Sequence, residues 1–181
     1  MSKPSTTSGP LTLVLGGTRS GKSRVAEDLA GRDGLPVTYL ATAMVQPDDA
    51  DHQERIATHR ERRPSTWTTV ECADPSHLAE LTRTIAGPIL IDSLGSWVAG
   101  HTDLVVDGPA LASALRARQH PTIVVAEEVG WSLHAPTVIG RRFVDALGTL
   151  NQEVAAVADR VLLVVAGRVL ELPAPDGCDT P

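Results

Sequence analysis

Apolar residues recur along this chain in two rhythms that take turns. Short, nearly unbroken apolar runs occupy 11–15, 37–41, 67–71, 88–92, 122–126 and 161–165. Runs of that length, closed by glycine or a polar residue, predict buried strands. Between them the spacing predicts helices over 22–31, about 47–62, 74–86 and 109–119, with a weaker helical stretch through Trp97. Pro47-Asp48-Asp49 reads as a helix start, and Pro64 stops that helix. Asp74-Pro75 reads as an N-cap followed by proline at the first helical position. The plainest stripe is Ile139, Phe143, Leu147, Leu150, Val154 and Val157, at steps of three and four, which marks a long amphipathic helix. Residues 168–172 are expected to pair with 161–165 through the Ala166-Gly167 turn.

Apolar strands alternating with helices predict an α/β fold, a mostly parallel sheet covered by helices on both faces, with a C-terminal strand pair. A ligand of such a sheet sits outside the carboxyl ends of its strands. No repeat and no linker interrupts 11–172, which reads as one domain. Residues 1–10, rich in Ser, Thr and Pro, read as a disordered lead-in, and 173–181 as a loose tail.

Composition narrows this only a little. The 181 residues suit one core, and with aromatics at 3% that core must be aliphatic. A formal net charge of -6 argues against a nucleic-acid partner. It leaves phosphate ligands open, because backbone N–H groups at a helix start hold anions whatever the net charge. Cys72 and Cys178 lack metal-ligand spacing and are expected to be reduced thiols of a cytoplasmic protein. No apolar run approaches the roughly 20 residues of a membrane span, and the first ten residues lack the apolar region of a signal peptide.

Candidate chemistry begins at the first strand. Gly16-Gly17-Thr18-Arg19-Ser20-Gly21-Lys22-Ser23 fits G-x-x-x-x-G-K-[ST] between a predicted strand and a predicted helix. Such a loop curls so that its N–H groups converge on the phosphates of a purine nucleoside triphosphate. Lys22 is expected on the β- and γ-phosphates, and the Ser23 hydroxyl on Mg²⁺. The partner carboxylate should end another buried strand, and Asp92 follows Ile89-Leu90-Ile91. Asp92 reads either as the Mg²⁺-linked carboxylate or as the N-cap of the next helix. Glu127 and Glu128 end the 122–126 run and should face the same crevice, as functional carboxylates or as a solvated strand end.

On the helix over 47–62, His52, Ile56, His59 and Arg63 share one face, with Arg55, Arg60 and Arg62 around it. A histidine among arginines can attack phosphorus while arginine offsets the developing charge. From spacing alone, an exposed helix with ordinary charges is the simpler reading.

The phosphate loop, then Tyr39-Leu40-Ala41-Thr42, then Arg55-Ile56-x-x-His59-Arg60-x-x-Arg63-Pro64-x-x-Trp67 resembles the bifunctional adenosylcobinamide kinase / adenosylcobinamide-phosphate guanylyltransferase family of cobalamin biosynthesis. The likeness continues through Val70-Glu71, Asp92, Glu128-Val129-Gly130 and Arg142-Phe143-x-Asp145-x-x-Gly148-x-x-Asn151-Gln152, so it spans about 11–172. The loop is generic, whereas the Arg-Ile-x-x-His-Arg and Phe-x-Asp-x-x-Gly-x-x-Asn-Gln segments are specific together. The resemblance implies a RecA-like P-loop NTPase fold and two reactions. In the first, GTP or ATP phosphorylates the aminopropanol hydroxyl of adenosylcobinamide. In the second, a histidine takes GMP from GTP and passes it to the phosphorylated corrinoid, giving adenosylcobinamide-GDP. The matching histidine is His59. Thr42, Arg60, Arg63 and Glu71 match positions assigned to nucleotide binding, and a homotrimer is implied. Glu127 stands where some members carry Asn or Ser, the stretch between Asp92 and Thr122 is short, and one or two extra residues precede Arg55.

Two other readings stay open. A different small-molecule P-loop kinase would leave His59 silent, and a non-catalytic GTP-binding regulator would turn nothing over. The intact Lys22, Ser23 and Asp92 argue against the regulator. His77, His101, His120 and His134 show no ligand spacing and are expected at the surface or in structural roles. Trp97 and Trp131 are expected to be packing residues.

Overall fold

The computed structural model describes residues 8–43, 63–131 and 135–174. The chain enters on strand β1 (Leu11–Gly16), and the phosphate loop leads into helix α1 (Lys22–Ala30). Strands β2 (Thr38–Ala41) and β3 (Thr68–Glu71) follow. The predicted helix over 47–62 lies outside the described residues. The predicted helix over 74–86 divides into a 3-10 turn (Pro75–His77), whose N-cap Asp74 accepts from Ser76 N–H, and helix α2 (Leu78–Thr84). Next come β4 (Ile89–Asp92), α3 (Leu94–Gly100), α4 (Gly108–Arg116) and β5 (Thr122–Glu127). The long stripe forms α5 (Val138–Ala155), and β6 (Arg160–Val165) and β7 (Arg168–Leu172) follow. Ser93, Asp107 and Thr137 each cap a helix by accepting a backbone N–H three residues on. Helix α4 therefore begins at Gly108, one residue ahead of the predicted start at Pro109.

The seven strands form one sheet in the order β3-β2-β4-β5-β1-β6-β7, parallel except for the β6–β7 hairpin. This is the expected α/β architecture, including the C-terminal strand pair. Alternation along each strand divides the core between the two faces. Leu13, Leu15, Leu40, Ile91, Val124 and Leu163 pack under α2, α3, α4 and α5. Val14, Tyr39, Leu90, Val125 and Leu162 pack against Ala26 and its neighbours on α1. Because both faces are covered, the strands read as apolar throughout.

Gly9 and Pro10, expected to belong to the lead-in, are tied to their neighbours by backbone hydrogen bonds. Gly9 N–H donates to the Arg118 carbonyl at 2.8 Å, and Thr122 N–H donates to the Pro10 carbonyl at 2.9 Å. Parallel register then sets the functional edge. Gly16 pairs with Glu127, and Ala41 pairs with both Glu71 and Asp92, so the carboxyl ends of β1 to β5 open on one side.

Candidate active site

The phosphate loop sits where β1 hands over to α1. Gly21 takes φ 94°, a left-handed conformation that glycine adopts without a steric penalty. Arg19 takes φ 57° and is exposed, as is Thr18. Ser20 is buried, its Oγ accepts from Lys22 N–H at 3.3 Å, and its carbonyl accepts from Gly167 N–H at 2.8 Å. The β6–β7 turn thereby braces the loop from behind. Lys22 Nζ lies 3.5 Å from the Gly17 carbonyl and 3.7 Å from Glu127 Oε1. Ser23 stands in the first turn of α1.

Asp92 ends β4, two places along the sheet from β1, on the order of 10 Å away at the usual strand spacing. Its Oδ2 accepts from the Tyr39 hydroxyl at 3.1 Å. Burial first, and the Asp92 charge second, push the Tyr39 phenol far above its ordinary range, so it stays a proton donor. The N-cap alternative for Asp92 does not hold: the cap of α3 is Ser93. Thr42 is buried, with its hydroxyl donating to the Ser93 carbonyl at 2.6 Å, which ties the end of β2 to the start of α3.

Glu127 and Glu128 part company. Glu127 reaches Lys22, Ser93 Oγ at 2.8 Å and Gly95 N–H at 2.9 Å. Glu128 instead accepts from Gly130 N–H at 2.8 Å. Asn151, from the last turns of α5, donates to the Glu127 carbonyl at 3.1 Å. That contact gives the Asn-Gln segment of the sequence a structural role behind the site.

Arg63 is placed over the Tyr39 ring, 3.4 Å from its centroid. Its Nε lies 3.8 Å from Glu27 Oε1, and it donates to Thr69 Oγ1 at 3.3 Å. Arg63 thus joins Asp92 through Tyr39, and none of these contacts reaches the loop. Glu71 is exposed at the end of β3, the sheet edge, roughly 19 Å from Gly16 by four strand spacings. His59 and Arg60 lie outside the described residues.

Trp97 packs as expected, with its indole N–H donating to the Pro75 carbonyl at 2.7 Å. Trp131 does not: it is 72% exposed. His101 stacks edge-on against Trp97, while His77 and His120 are exposed. Sequence reasoning missed the Lys22–Glu127 pair, whose members come from the start of α1 and the end of β5. It also missed Arg118, whose buried guanidinium donates to the carbonyls of Thr82, Ile85 and Gly87 and to Thr122 Oγ1. No local signal marks it, for an arginine after a predicted helix is ordinarily a surface residue.

A parallel sheet with a strand–glycine loop–helix unit, its lysine and serine at the helix start and a carboxylate ending a strand two places away, defines a P-loop nucleotide-binding protein. A family model described as cobinamide kinase / cobinamide phosphate guanyltransferase (CobU) matches residues 12–172, and the chain belongs to that family. It is 40% identical over 174 residues to the bifunctional adenosylcobalamin biosynthesis protein CobP of Pseudomonas aeruginosa, covering 90% of this chain and 95% of that one. It is 33% identical over 177 residues to CobU of Salmonella typhimurium, covering 87% and 96%. Among solved structures, the flagellar accessory protein FlaH from Methanocaldococcus jannaschii matches at TM-score 0.49 and 14% identity, over 90% of this chain and 75% of that one. A KaiC-like protein from Pyrococcus horikoshii matches at TM-score 0.49 and 16% identity, over 86% and 72%. No helix among the described residues is long and apolar enough to cross a membrane.

Proposed function

We propose that this chain phosphorylates adenosylcobinamide with GTP or ATP and then transfers GMP from GTP to the product, giving adenosylcobinamide-GDP. The family match over residues 12–172 carries this reading. The retained Lys22, Ser23 and Asp92 support it.

In the kinase reaction the aminopropanol hydroxyl oxygen attacks the γ-phosphorus. The hydroxyl gives up its proton to water, the bond to the bridging oxygen breaks and the nucleoside diphosphate leaves. The backbone of Gly16, Gly17, Thr18, Arg19, Ser20 and Gly21 cradles the phosphates, and Lys22 spreads positive charge over the β and γ groups. Ser23 and Asp92 are hard oxygen donors of the kind Mg²⁺ takes, and they would hold it. Bound there, Mg²⁺ offsets the charge on the transferring phosphate.

In the second reaction His59 attacks the α-phosphorus of GTP, a P–N bond forms and pyrophosphate leaves. A phosphate oxygen of adenosylcobinamide phosphate then attacks the same phosphorus. The P–N bond breaks, GMP moves to the corrinoid and His59 is restored. The attack needs the neutral imidazole, whose unprotonated ring nitrogen carries the lone pair. Arg60 offsets charge at the α-phosphate, and Thr42, Arg63 and Glu71 complete the nucleotide site. The protein acts in the cytoplasm as a homotrimer.

The test is incubation with α-labelled GTP and Mg²⁺, then denaturing electrophoresis, for wild type and His59→Ala. An acid-labile, base-stable label on the wild type, lost in the variant, is expected. Wild-type protein that binds GTP yet takes no label refutes guanylyl transfer and leaves a small-molecule kinase or a GTP-binding regulator.

A further inference from the structure

Glu127 occupies a built seat beside the lysine of the phosphate loop. Its Oε1 accepts from Ser93 Oγ at 2.8 Å, and its Oε2 accepts from Gly95 N–H at 2.9 Å. Gly95 makes the room, since a Cβ there would fall 2.1 Å from Oε2. Behind the side chain, Asn151 Nδ2 fixes the Glu127 carbonyl at 3.1 Å. The carboxylate is therefore held by α3, and its backbone by α5, without help from Lys22.

The ammonium is the looser member of the pair. Lys22 Nζ lies 3.7 Å from Glu127 Oε1, and its contact with the Gly17 carbonyl is long at 3.5 Å. Both side chains are mostly buried, at 12% and 27% exposure, so water and salt screen the pair less than they would at the surface.

We infer that Glu127 is the counter-ion that substrate phosphates displace from Lys22, and that its charge sets how tightly the loop holds a nucleotide. This rests on the reading of residues 16–23 as the phosphate loop. In the empty protein the carboxylate neutralises Lys22 and keeps its flexible stem folded across the loop. An arriving polyphosphate takes the ammonium. Glu127, pinned by Ser93 and Gly95, cannot follow, and it repels the phosphates that replaced it. The penalty grows with phosphate charge, so it falls harder on a triphosphate than on a diphosphate. Removing the charge while keeping the shape should therefore tighten binding. A carboxylate that only props the loop predicts the reverse, because losing it slackens the cradle.

The experiment is titration of a fluorescent GTP analogue, and of its GDP counterpart, with Mg²⁺ at low and high salt. The proteins are wild type, Glu127→Gln, Glu127→Asp and Lys22→Ala, each checked for folding by thermal melting. Glutamine keeps the seat, with Oε1 accepting from Gly95 N–H and Nε2 donating to Ser93 Oγ. Glu127→Gln is expected to lower the GTP-analogue Kd about threefold to tenfold at low salt, with a smaller gain for GDP and in high salt. Glu127→Asp withdraws the charge by one methylene and is expected to gain less in the same direction, which keeps the inference testable should the glutamine variant not fold. Unchanged or weaker binding in the folded variants, while Lys22→Ala still weakens it, overturns the inference alone. No wild-type binding, or none lost in Lys22→Ala, overturns the loop reading and the inference with it.

Discussion

Arg118 is 5% exposed, yet its guanidinium has four acceptors: three carbonyls where α2 ends and the Thr122 hydroxyl. A helix of seven residues leaves its last carbonyls without partners, and Arg118 supplies donors for them. Burial pulls its pKa below the ordinary arginine value, but the group stays charged at any working pH. Deleting it leaves several buried acceptors unpaired at once. Arg118→Ala is expected to cost about 3 kcal/mol in urea unfolding, and Arg118→Lys to recover only part of that, since an ammonium cannot span the same fork. A loss under about 0.5 kcal/mol would show that these carbonyls find other partners. Nothing in the neighbourhood of Arg118 in sequence announces this role. Its three carbonyl partners lie 31 to 36 residues earlier, and only the packing of α2 against α4 brings them within reach.

At the scale of elements, α3 is short and carries more than its length suggests. Its N-cap, Ser93, accepts from Ser96 N–H, donates to Glu127 and offers its carbonyl to Thr42. One residue therefore joins the ends of β2, β4 and β5. Removing the hydroxyl removes a cap and one of the two anchors of the Glu127 carboxylate. Ser93→Ala is expected to lower stability by about 1–2 kcal/mol, with Ser93→Thr close to wild type, as read by urea titration. Equal losses in both variants would point to packing around Ser93 rather than to its hydrogen bonds. The apolar rhythms foretold each described strand within a residue or so, and α5 almost whole. They missed the break between the 3-10 turn and α2, because cap geometry at Asp74 favours a tight first turn that periodicity does not register.

At the scale of the molecule, seven strands among the described residues share one sheet, and the two core faces meet through it. Such a sheet has no line along which half could melt alone. With the proposed homotrimer, unfolding and dissociation become one event. Calorimetry is expected to show a single transition whose midpoint rises with protein concentration. Two resolved transitions would refute the single domain, and a midpoint independent of concentration would refute the trimer.

The contiguous features were within reach of the sequence. The phosphate loop from Gly16 to Ser23, the strand-helix alternation and the Asp92 strand end each depend on residues a few positions apart, where backbone preference and side-chain period decide the outcome. Those features fixed the fold class and pointed to nucleotide phosphates. The pairings that shape the site depend on sheet order instead. Setting β5 between β4 and β1 puts Glu127 against Lys22 and lets α3 grip it, and pairing β2 with β4 puts Tyr39 on Asp92 with Arg63 stacked above. Local periodicity marks a segment as a strand without naming its neighbours. Long-range burial chooses those neighbours, so the charge partners inside the site were settled by the tertiary structure alone.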